Sequence, residues 1–128
     1  MIAGRSSGSF DLAYNEPTRV GDPAGQTSPE ELIAAAHAGC YAMSLAAEIS
    51  RLRVEPQRLS VKATCVMGEV EGKGHLVVAS NLDVHAEVPG LDEAAFHEAV
   101  ERADAGCPIS TLIRGSAAVS VAAQLIAG

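Results

Sequence analysis

Cys40, Cys65 and Cys107 are the three thiols of this 128-residue sequence. A thiol attacks as its anion, and an unperturbed pKa of about 8.5 leaves only a few per cent ionised at neutral pH. Surroundings therefore decide which cysteine can react. Cys107 precedes Pro108 at what reads as a helix start, where free N–H groups and the helix dipole favour a thiolate. Cys40 stands midway along an apolar helix, where burial raises a thiol pKa unless a cation lies nearby. An arginine suits that task because it stays charged when dehydrated. Free cysteine is also among the most buried residue types, so packing is the plainer reading of Cys40. Cys65, on the apolar side of a strand, reads as filler. His37 lies three residues before Cys40 and shares its helical face. A Cys–His couple for acyl transfer is conceivable there, but no orienting acid or oxyanion motif accompanies it. Two ligands are too few for a metal site. The wide cysteine spacing contains no CxxC pair, which excludes a zinc ribbon or thioredoxin motif. His75, His85 and His97 fall near turns or on polar faces and read as solvated.

The elements that must carry these residues are legible in outline. Phe10, Leu12 and Tyr14 alternate as an edge strand would. Asn15 to Ser28, rich in Pro and Gly, reads as a loop. Ser28-Pro29-Glu30-Glu31 is a helix start: Ser28 caps, Pro29 takes the first helical position and Glu31 completes a capping box. The helix should run to about Arg51. Its residues are apolar on every face from Leu32 to Ala47, which predicts a buried central helix. Leu59 to Met67 and Leu76 to Val88 alternate as strands around a turn at Gly72-Lys73-Gly74. Leu91 to Ala105 is amphipathic. A short helix follows Gly106-Cys107-Pro108 through Ile113, and Val119 to Leu125 suggests a last strand. This order predicts an α+β fold in a single domain, residues 1–128.

Composition bounds the function. The sequence is 48% apolar but only 3% aromatic, so its core must be aliphatic. A net charge of −7 argues against nucleic acid or an anionic membrane as partner. The uncharged stretch from Leu32 to Ala47 is shorter than the roughly 20 residues a bilayer span needs. No basic-then-apolar leader opens the sequence, so a cytoplasmic, reducing compartment is the expectation.

Two segments, TSPEELIAAAHAGCYAMSLA (Thr27 to Ala46) and HAEVPGLDEAAFHEAVERADAGCPIS (His85 to Ser110), resemble the signatures of the OsmC/Ohr family, thiol peroxidases acting on organic hydroperoxides. The second segment resembles the OsmC branch more than the Ohr branch. The resemblance implies the OsmC-like fold, antiparallel sheets around a long central helix in an intertwined homodimer. It implies Cys40 as the peroxidatic thiol and Cys107 as the resolving thiol that forms a disulfide with it. Glu30 matches the family's acidic partner. Arg19, in Pro17-Thr18-Arg19-Val20, matches its arginine, with Arg5 as the alternative. No metal, haem or flavin is implied. The expected partners are a hydroperoxide and a dithiol reductant, which in the Ohr branch is of the lipoyl kind.

The physical logic is compatible with these roles. Glu30 could orient a guanidinium bidentately, and that guanidinium could stabilise both a thiolate and a leaving alkoxide. Leu32, Ile33 and Met43 form an aliphatic wall suited to alkyl hydroperoxides. Ten residues of helix rise about 15 Å, so Glu30 reaches Cys40 only through a bend, a bridging arginine or a second subunit. A non-enzymatic stress protein of the same fold, binding an apolar ligand, is the competing expectation.

Overall fold

The structure, a computed structural model, describes residues 2–3, 11–12 and 28–126. Two short strands, β1 (Ile2–Ala3) and β2 (Asp11–Leu12), pair antiparallel. The expected edge strand is thus met at Asp11 and Leu12, while Arg5, Arg19 and most of the predicted loop lie outside the described residues.

Helix α1 (Pro29–Arg51) forms as its start sequence requires. The Ser28 hydroxyl accepts the Glu31 N–H at 3.2 Å, Pro29 occupies the first turn, and Glu30 and Glu31 oppose the positive end of the dipole. The helix closes at Leu52 and Arg53, whose N–H groups bond the Ile49 and Ser50 carbonyls; Arg53 sits in the left-handed region at φ 63°. Burial differs from expectation. Ala34, His37, Tyr41, Leu45 and Ile49 are buried, a single stripe at three- and four-residue spacing. Met43, at 76% exposure, lies off that stripe. The reason is geometric: one small sheet and two short helices cover one side of a 23-residue helix. By length and composition α1 could also cross a bilayer, a test that the core helix of a soluble protein passes too.

Strand β3 (Arg58–Val70) pairs antiparallel with β4 (Gly74–Glu87). The turn between them places Gly72 and Gly74 at positive φ, where a side chain would be strained. A register shift at Val66/Met67 marks a bulge. From Ser80 onward β4 alternates cleanly, with Leu82, Val84 and Ala86 buried and Asn81 and Asp83 exposed. Helix α2 (Glu93–Gly106) is capped by the Asp92 carboxylate, which accepts the Ala95 N–H at 2.7 Å, and buries Phe96, Ala99, Val100 and Ala103. Helix α3 (Pro108–Arg114) follows after the single residue Cys107, and β5 (Ala118–Ile126) completes the sheet beside β4, parallel to it. A parallel neighbour requires a crossover, and α2 with α3 supplies it. The sheet order is β3-β4-β5, and the fold is α+β as its element order predicts.

The core lies where the α1 stripe meets β4 and α2. Tyr41, Leu45, Ile49, Leu82, Val84 and Phe96 are its large members. Two side chains of α1 also bond backbone carbonyls of α2: the Tyr41 hydroxyl donates to Val100 at 3.1 Å and the Ser44 hydroxyl to Ala103 at 2.8 Å. These bonds hold α1 in register against the end of α2 that leads to Cys107.

Candidate active site

Cys40 comes from the middle of α1, and Cys107 from the junction at which α2 ends and α3 begins. That junction has a simple local cause. Gly106 weakens the end of α2, and Pro108 cannot continue it but can open a new helix. The Cys107 N–H bonds the Asp104 carbonyl behind it, and the Cys107 carbonyl accepts the Thr111 N–H ahead of it. The α1–α2 bonds bring this junction onto α1, and the two Sγ atoms lie 3.3 Å apart. Both are free thiols. They differ in access: Cys107 is wholly buried and Cys40 only partly so.

They also differ in acidity. Burial pushes the Cys40 thiol up; the Ile109 N–H opposes this, and the neighbouring Cys107 adds to it. Burial likewise works against ionising Cys107. There the polar surroundings from Ser110, Cys40 and the Ile109 N–H favour the anion, and the net direction is down.

His37 is not placed as a base for Cys40. It is wholly buried, with Nδ1 2.6 Å from the Ser80 hydroxyl and Nε2 2.7 Å from the Ser110 hydroxyl. Burial lowers its pKa, the Asp104 carboxylate raises it and Arg114 lowers it, with a net downward direction that keeps the ring neutral. The reading of the sequence missed Ser80 and Ser110. Each left a signal: Ser80 is a polar residue in the apolar register of β4, and Ser110 lies one helical turn after Cys107.

Glu30 lies on the first turn of α1, in a hollow shared with Ser28, Ala34, Ala63, Cys65 and Met67. Its charge helps to raise the pKa of Cys65, after burial. Glu30 is ten residues of continuous helix, about 15 Å of rise, from Cys40. The structure thus brings Cys40 and Cys107 together and leaves Glu30 at the far end of the helix. His75 and His97 are exposed, and His85 is half-buried beside Asp83. Among the described residues no group of three His, Cys, Asp or Glu side chains converges as a metal site would require.

A second hollow of about 330 Å³ is lined by Ile33, Ala36, Val77, Ile109, Leu112 and Ile113 among others. Ile109, on its wall, is also the residue whose backbone N–H lowers the pKa of both thiols.

The sequence pattern of the OsmC-like proteins matches residues 21–122 and so takes in both cysteines. The chain belongs to the OsmC family. Among curated OsmC-family relatives, the peroxiredoxin OsmC of Escherichia coli is 33% identical over 88 residues, which span 69% of this chain and 61% of that protein. An organic hydroperoxide resistance protein of Xanthomonas axonopodis is 30% identical over 119 residues, 91% of this chain and 80% of its own length. Among solved structures, an OsmC organic hydroperoxide resistance protein from Legionella pneumophila superposes with a TM-score of 0.75 at 24% identity, covering 93% of this chain and 85% of that one. An OsmC-like protein of unknown function from Vibrio cholerae gives 0.76 at 19% identity, covering 94% and 80%. At these identities the superpositions establish that the OsmC fold is shared.

Proposed function

We propose that this chain is a cysteine-based peroxidase that reduces organic hydroperoxides to alcohols. The observation that carries the reading is the 3.3 Å contact between one accessible and one buried thiol. The names of the relatives, a peroxiredoxin and an organic hydroperoxide resistance protein, support it. Cys40 is the attacking residue, because a peroxide arriving from solvent meets its sulfur first. Its proton passes to the departing alkoxide as it attacks. The Cys40 sulfur displaces the distal peroxide oxygen's bond to the alkoxide: an S–O bond forms, the O–O bond breaks, and the alkoxide takes a proton to leave as alcohol. Cys107 then attacks the Cys40 sulfenic acid. The S–S bond forms, the S–O bond breaks, and hydroxide leaves with the Cys107 proton as water. A dithiol, of the lipoyl kind or another, reduces the disulfide by thiol exchange.

Arg19 supplies the cation that Cys40 needs in order to lose its proton, and Glu30 orients that guanidinium. Arg5 is the alternative cation. Because Glu30 and Cys40 are a helix half-length apart, the site calls for Arg19 to bridge them or for a second copy of the chain to complete it. A homodimer would also cover the exposed side of α1, including Ile33 and Met43. The apolar hollow beside Ile109 favours an alkyl or fatty hydroperoxide over hydrogen peroxide. The reaction belongs to the reducing cytoplasm, where a dithiol pool regenerates the thiols.

The test is consumption of cumene hydroperoxide with a dithiol as reductant. The wild-type chain is expected to turn over and Cys40→Ser to lose all activity. Undiminished activity in Cys40→Ser overturns the reading. The same hollow would serve a non-enzymatic protein that binds an apolar ligand; wild-type thiols that stay reduced under excess peroxide would favour that alternative.

A further inference from the structure

His37, Cys40 and Ser44 of α1 meet Ser110, Cys107 and Ala103 in reverse order. The Ser44 hydroxyl bonds the Ala103 carbonyl at 2.8 Å, the Cys40 and Cys107 sulfurs lie 3.3 Å apart, and His37 Nε2 lies 2.7 Å from the Ser110 hydroxyl. The thiol contact is thus the middle rung of three between α1 and the segment that carries Cys107. Each outer rung stands one helical turn from it along α1, about 4.5 to 6 Å of rise. The Ser44 rung reaches α2, before the break at Cys107, and the His37 rung reaches α3, after it. Both outer rungs are already at hydrogen-bond length, whereas the sulfurs must close to about 2.0 Å to bond. The His37 rung is also tied to the sheet: Nδ1 lies 2.6 Å from the Ser80 hydroxyl of β4, and all three side chains are wholly buried. A neutral imidazole offers one donor and one acceptor, so the two serines occupy both ring nitrogens.

We propose that His37 is a positioning residue for the disulfide-forming step: by pinning the first turn of α3 to α1 and β4, it keeps Cys107 within bonding reach of Cys40 while Cys40 carries oxygen. The inference rests on the thiol-pair reading above and concerns its second step. Without the pin, the Tyr41 and Ser44 bonds still hold α2, but α3 is free to shift beyond the break at Cys107. A displacement of about 1 Å can slow a positioned reaction by up to about a hundredfold. The Cys40 sulfenic acid then lives longer, and a second hydroperoxide oxidises it to the sulfinic acid: a second S–O bond forms, the O–O bond breaks, and a second alcohol leaves. The pin therefore protects Cys40 from irreversible oxidation.

The test follows the fate of Cys40 in a Cys65→Ser background under graded cumene hydroperoxide, read by alkylation and intact mass. His37→Ala is expected to slow disulfide closure about tenfold and to raise the sulfinic fraction in step. His37→Gln, whose amide also offers a donor and an acceptor, should restore closure. Asp92→Ala weakens α2 at its opposite end and should close as fast as the wild type. In a Cys107→Ser background, dimedone capture should show sulfenic acid forming at the same rate with and without His37→Ala. Closure in His37→Ala as fast as in the wild type overturns the proposal, and so does equal slowing in Asp92→Ala. If His37→Ala does not fold, Ser110→Ala, which keeps the ring and removes its bond to α3, decides: unslowed closure there overturns the proposal. A wild-type Cys40 that takes up no oxygen from the hydroperoxide would instead mark failure of the functional reading.

Discussion

At the residue scale, access and acidity are divided between two sulfurs. Cys40 can be reached and holds its proton tightly; Cys107 cannot be reached and holds its proton loosely. That division leads to an asymmetric outcome for the two serine replacements. Cys107→Ser should still react once with hydroperoxide and then stop, leaving a Cys40 sulfenic acid that dimedone captures and mass spectrometry locates. Cys65→Ser should change turnover little, since its sulfur faces the first turn of α1 rather than the pair. The buried imidazole adds a pH dependence. The folded pKa of His37 lies below its ordinary 6.5, so below that pH the unfolded chain binds a proton that the native one refuses. Stability contributed by the neutral ring is therefore present above 6.5 and falls as the solution is acidified. Urea midpoints measured on either side of that pH should show the loss, and His37→Gln should show less of it.

At the scale of elements, the signals that were legible are the local ones. Ser28, Pro29 and Asp92 specify helix starts through bonds within one turn, and each helix begins where they stand. Asp92→Ala removes the cap of α2 and should cost about 1 kcal/mol in chemical denaturation. Burial around α1 was not legible in the same way. Leu32 to Ala47 is apolar on all sides, but only contacts distant in sequence decide which side is covered. Tyr41 illustrates this. Its ring joins the core, and its hydroxyl finds the Val100 carbonyl 59 residues away. Tyr41→Phe should lose about 1 kcal/mol, read as a lower urea midpoint at unchanged slope. Arg53 is a left-handed residue closing α1, where glycine is the unstrained choice; Arg53→Gly should raise stability by up to about 1 kcal/mol in the same measurement.

At the scale of the whole molecule, the α+β order could be read from residue patterns, while Cys40 and Cys107 were paired only through the family resemblance and not by any local signal. Nothing within either segment states that the α2–α3 junction docks on the middle of α1. The parallel β4–β5 pairing and the Tyr41 and Ser44 bonds settle it, and all of these join distant parts of the chain. The serine–histidine chain was hidden for the same reason: Ser80 and Ser110 are ordinary residues until three elements converge on His37.

The 67-residue separation of the two sulfurs has a further consequence. A bond between them would close a covalent ring through the second half of α1, β3, β4 and all of α2, leaving β5 outside it. Such a ring shortens the list of conformations open to the unfolded chain, and loop-closure entropy at this length amounts to about 4 kcal/mol before any strain in the native state. The oxidised form should consequently melt roughly 15 °C above the reduced form, a gap that Cys107→Ser erases. Calorimetry of the two forms would read it directly. A catalytic cycle built on this pair would tighten and relax the chain's topology at every turnover, so that a scarcity of reductant would leave the protein in its more heat-resistant form.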